Sequence, residues 1–139
     1  EFLQRTEGMP GLKSRYGLDV PSGNFVAIND GGGPATVRAL VDGTVTAADI
    51  FSTAPAIAQE HLVVLEDPKH NFLAANVVPL MASQKKSDRL KTVLDAVNAR
   101  LSTADLIALN TAVSGNHGVD PDEAARNWVH DNGFDKAVR

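Results

Sequence analysis

Residues 30–57, DGGGPATVRALVDGTVTAADIFSTAPAI, and residues 61–80, HLVVLEDPKHNFLAANVVPL, decide the reading of the fold. A Gly-rich turn at Gly31, Gly32 and Gly33 feeds a helix that starts at Pro34. Val37, Leu40 and Val41 line one face of it, and Asp42-Gly43 ends it. Ala47 to Phe51 reads as a short buried strand that closes in a small polar loop at Ser52 and Thr53. His61 to Glu66 reads as another, because Leu62 to Leu65 is continuously apolar, the mark of a strand covered on both faces. Asn76 to Met81 is a further strand, which Pro79 confines to an edge or a crossing segment. Weak alternation predicts one more from Asn24 to Asn29. The expected class is α/β, a mixed sheet with flanking helices. Its loops would gather at one edge of the sheet, where clefts in such folds form.

Outward from that stretch, Pro10 to Tyr16 suits a helix with Pro in its first turn and Gly17 as its stop. Beyond Ser87 the pattern is helical. Leu90, Val93, Leu94, Val97 and Leu101 recur at helical spacing. Ser102-Thr103-Ala104-Asp105 announces a second helix with a capping-box pattern, carrying Leu106, Leu109 and Val113. Asp120-Pro121-Asp122-Glu123 announces a third, with Asp120 as cap and Glu123 closing the box. Ala125, Trp128 and Val129 form its apolar side. The expected division is 1–78, an α/β portion, and 79–139, a helical return segment.

Composition narrows the function classes. The chain has 139 residues and a net charge of −4, which argues against a nucleic-acid or anionic membrane surface as partner. It has no cysteine, so disulfides and thiolate metal sites are excluded. His61, His70, His117 and His130 show no metal-ligand spacing, and no metal or cofactor is expected. G-x-S-x-G and H-E-x-x-H are absent, and Glu66-Asp67 and Asp122-Glu123 are accounted for by a strand end and a helix cap. No catalytic residue is expected. Gly31 to Gly33 lacks the Lys-Ser/Thr of a P-loop and the spacing of a dinucleotide fingerprint. It still leaves open a small α/β nucleotide- or phosphate-binding domain, and the Ser87–Asn132 helices leave open a protein-interaction module.

Three segments in order carry a family resemblance: residues 1–18, EFLQRTEGMPGLKSRYGL; residues 31–57; and residues 62–80. Together with the helical tail they are similar to the substrate-binding proteins of ABC importers for glycine betaine, choline and related compatible solutes. The resemblance implies a bilobal, periplasmic-binding-protein-like (type II) fold, and it places this chain in the C-terminal half of a longer family member. It implies no enzyme activity, an extracytoplasmic location, a quaternary ammonium or zwitterionic ligand, and permease subunits as partners. It also implies that Arg5 grips a ligand carboxylate, as guanidinium groups do with two parallel hydrogen bonds. The Phe51-Ser52-Thr53 loop, Phe72 and Asn76 would line the cleft, with an aromatic face over the ammonium. A solvated Arg5, a core Phe51 followed by a turn, and a core Phe72 account for the same residues without a ligand. Ala54 stands where the family commonly has Asp, and Ala75 where it commonly has Tyr or Gln. Both departures point to a ligand other than betaine, one bulky enough to use the space at Ala75. Apolar helix faces left uncovered predict a homodimer or an exchanged element hinged at Leu73 to Gln84.

Overall fold

Local hydrogen bonds build every regular element in the computed structural model, which describes residues 2–136. The described elements are α1 (Met9–Tyr16), α2 (Pro34–Val41), the single turn α3 (Ala56–Gln59), α4 (Asp88–Arg100), α5 (Thr103–Ala112) and α6 (Pro121–Asp131). Short 3-10 turns lie at Ser22–Asn24 and Ser83–Lys85. Each long helix begins and ends where local chemistry dictates. Gly17 takes a left-handed φ of 72° after α1, a conformation only glycine adopts freely. Ser87 accepts from the Leu90 N–H at the start of α4. Ser102 and Asp105 exchange bonds reciprocally at the start of α5. Asp120 accepts from the Asp122 N–H ahead of Pro121 in α6. A return bond from the Glu123 side chain is not among the described contacts.

The expected mixed sheet is not there: no strand occurs among the described residues. Asn24–Asn29, Ala47–Phe51, His61–Glu66 and Asn76–Met81 all run as irregular chain apart from the end of a 3-10 turn at Asn24. The physical reason is that a strand exists only through ladder bonds to a neighbour. The backbone N–H groups of Leu62 to Glu66 find no backbone acceptor among the described residues. His61 starts that segment at a φ of 53°, a left-handed conformation that no strand begins with. Its continuous apolar run, expected to be covered on both faces, leaves Val63 84% exposed and Leu65 78% exposed. The type II sheet architecture expected from the resemblance is corrected by the same observation.

The chain divides into two units, Glu1–Ile50 with Glu60–Asn76, and Phe51–Gln59 with Val77–Arg139. The first unit is held by polar contacts of long reach between α1 and the 67–72 turn. Asn71 is buried and donates from Nδ2 to the Glu7 carbonyl at 2.7 Å. The Tyr16 hydroxyl donates to Asp67 Oδ1, and the Lys69 N–H donates to the Tyr16 oxygen at 2.8 Å. Arg15 Nη1 donates to the carbonyls of Lys69 and His70 at 3.0 and 3.3 Å. In the second unit α5 packs on α6: Trp128 Nε1 donates to Asp105 Oδ1 at 3.1 Å and the indole stacks on Phe134 at 5.8 Å. No large side chain is fully buried among the described residues. Among the described residues no helix is long and apolar enough to cross a membrane.

Candidate functional site

Arg5 lies in the turn that precedes α1. Its Nη2 donates to Asp49 Oδ2 at 2.7 Å, and its guanidinium carbon sits 4.9 Å from the Phe2 ring centroid. Phe2 in turn stacks on Phe25, centroids 6.4 Å apart. Arg5 Nε is buried and has no hydrogen-bond partner among the described residues. The side chain is therefore anchored through its stem and its ring contact, and its outer nitrogens stay at the surface. A planar donor fork fixed in this way is suited to a carboxylate, and Asp49 shows that one reaches it.

Asp49 is placed by the Gly-rich turn. Gly32 has a φ of 79°, and a Cβ there would come within 2.8 Å of the Asp49 carbonyl oxygen and 3.1 Å of the Ile50 Cα. Only glycine lets the two backbones approach so closely. The same turn bears on the phosphate-binding alternative. Asp30 accepts from the Ala35 and Thr36 N–H groups at 2.8 and 3.0 Å and from the Thr36 hydroxyl. These are the first free donors of α2, so a carboxylate of the chain itself already occupies the helix N-terminus. The Thr36 hydroxyl first, then its N–H, hold the Asp30 carboxyl below the usual carboxylate range.

The other nominated residues have different surroundings. Phe72 is 41% exposed, and its N–H donates to Asp67 Oδ2 at 2.8 Å. Asp67 also accepts from the Asn71 N–H, and the Tyr16 hydroxyl, first among these donors, lowers its pKa. Among the described residues no cluster of three His, Asp or Glu side chains could hold a metal ion. Asn76 is exposed, and no described hydrogen bond involves its side chain.

Arg5, Phe72 and Asn76 belong to the first unit, whereas Phe51, Ser52 and Thr53 belong to the second. There the Ala54 N–H closes a turn onto the Phe51 carbonyl at 2.9 Å, and Asn110 Nδ2 of α5 donates to the Thr53 carbonyl at 3.0 Å. The turn holds Phe51 72% exposed, which is not the position of a core aromatic. A shallow depression of about 440 Å³ on α6, lined by Asp122, Ala125, Arg126, Val129 and Asp135, contains none of the nominated residues.

Sequence reasoning missed Phe2 and Asp49, the two residues that define the surroundings of Arg5. No local pattern links Arg5 to Asp49, because 44 residues separate them.

No solved structure matches the chain. The family described as the substrate-binding domain of the ABC-type glycine betaine transport system matches residues 1–131. The match spans both units and reaches through α6, and on that ground the chain belongs to the family of substrate-binding domains of ABC-type glycine betaine transport systems.

Proposed function

We propose that the chain works outside the cytoplasm as the C-terminal part of a solute-binding protein that delivers a glycine betaine- or choline-like compatible solute to ABC permease subunits. The family is one of solute binders and not of enzymes. The observation that carries the reading is the family match over residues 1–131. Two features support it: an Arg5 guanidinium presented to a carboxylate, and a Phe51 ring that is largely exposed. In the first unit Arg5, Phe72 and Asn76 are the proposed ligand contacts, and in the second Phe51, Ser52 and Thr53. The uncovered Val63, Leu65 and Leu80 side chains fit a chain that works together with further polypeptide. A homodimer has no support among the described residues, and the proposal does without one.

Nuclear magnetic resonance titration with millimolar glycine betaine tests the reading. Weak binding should move the Arg5 guanidinium and Phe72 ring signals of the first unit, and Arg5→Ala should abolish the Phe72 shift. Signals that stay fixed in the unmodified chain, or shifts that survive Arg5→Ala, would remove Arg5 from the ligand site.

A further inference from the structure

The contact between Arg5 and Asp49 has a consequence for ligand choice that rests on the role proposed for Arg5. We infer that Asp49 is a specificity-determining residue: its carboxylate occupies the Arg5 guanidinium, so a carboxylate-bearing quaternary ammonium must displace it and a carboxylate-free one need not.

Four observations carry this. Asp49 Oδ2 lies 2.7 Å from Arg5 Nη2, the position a ligand carboxylate would take. The contact is made by one nitrogen to one oxygen, not by the two parallel bonds that a free carboxylate makes with a guanidinium. Both side chains are more than one third exposed, at 38% and 51%, so the pair opens toward solvent without breaking a core. Finally, the close approach of Gly32 fixes the Asp49 backbone, and the Phe2 ring fixes the Arg5 side chain. The pair is thus a property of the folded unit and not of two loose surface chains.

An exposed pair of this kind stabilises by roughly 0.2–1 kcal/mol, which corresponds to about 1.4- to fivefold in an equilibrium constant. That is the penalty a zwitterion meets at Arg5 and a simple cation does not. Removing the Asp49 carboxylate should therefore tighten glycine betaine and leave choline, which has the same trimethylammonium head and no carboxylate, unchanged at Arg5.

The test compares the unmodified chain with Asp49→Asn and Asp49→Ser by titration with each ligand, read at the Arg5 guanidinium. Glycine betaine should bind both variants about 1.4- to fivefold more tightly, with choline affinity altered less than that. Equal glycine betaine affinity in all three chains would overturn the role of Asp49 and leave that of Arg5 standing. No response of the Arg5 signals to glycine betaine in any chain, including the variants with the guanidinium released, would overturn both. Two variants of different shape guard against a local folding defect, and the exposure of Asp49 makes such a defect small.

Discussion

Gly11 lies inside α1, where replacing glycine by alanine ordinarily stabilises a helix by about 1 kcal/mol. In this chain the sign should reverse. A Cβ on Gly11 would fall 2.2 Å from Asn71 Oδ1 and 2.3 Å from the Thr6 carbonyl oxygen. Neither neighbour is the loose end of a flexible side chain: Asn71 is buried and bonded to Glu7, and Thr6 contributes backbone. Forcing them apart costs about 1–3 kcal/mol of overpacking. Losing the Asn71–Glu7 bond with its half-buried acceptor left empty costs about 1–3 kcal/mol more. Against the propensity gain, Gly11→Ala should destabilise by about 1–5 kcal/mol, which at about 4 °C per kcal/mol lowers Tm by roughly 4–20 °C. Gly23→Ala is the internal control, because nothing lies within 4 Å of a Cβ there. It should be neutral or stabilise by up to about 1 kcal/mol. Urea and thermal unfolding of the two variants decide the matter. If Gly11→Ala proves as stable as Gly23→Ala, the contact of α1 with the 67–72 turn is not what holds the first unit.

Two pH predictions concern the second unit. The Ser102 hydroxyl first, then the Ser102 N–H and the Trp128 indole, lower the Asp105 pKa to about 2. Because the folded value is depressed, the stabilisation is complete above the ordinary Asp pKa of about 3.9 and is lost as pH falls through about 2. Trp128, the single tryptophan, should report the loss by fluorescence, and Asp105→Asn should remove that transition. An unchanged transition in the variant would refute the assignment. His130 is raised, first by its hydrogen bond to Asp135 at 2.6 Å, with further help from the charges of Asp135 and Asp131. Its contribution is complete below the ordinary His pKa of about 6.5 and lost as pH rises through the higher folded value. Asp135→Asn should lower the His130 midpoint seen by magnetic resonance, and an unmoved midpoint would sink the pairing.

Which parts of this chain could be read in advance follows the range of the interactions involved. Gly17, Ser102 with Asp105, and Asp120 before Pro121 were legible because each cap is settled within a few residues. The four expected strands were not. Alternating or continuous apolar residues record what a segment does beside a partner, and Leu62 to Glu66 have no ladder partner among the described residues. The family of the chain was legible from the order and spacing of three segments. Arg5, Phe51, Phe72 and Asn76 were nominated through that resemblance alone, because an arginine or an aromatic residue in a loop has no pattern of its own. The Arg5–Asp49 pair and the Asn71–Glu7 bond span 44 and 64 residues, and no short window contains them.

The contact that joins α1 to the 67–72 turn also has a consequence for biosynthesis. Glu7 leaves the ribosome 64 residues ahead of Asn71. At about 5–20 residues per second, α1 waits several seconds for its counterpart. An apolar surface waiting that long would invite association with other nascent chains. The residues that wait here are Arg15, Tyr16 and the backbone of Glu7, which water satisfies in the meantime. A polar clasp closed by the later part of the chain lets translation proceed without a sticky half-built intermediate.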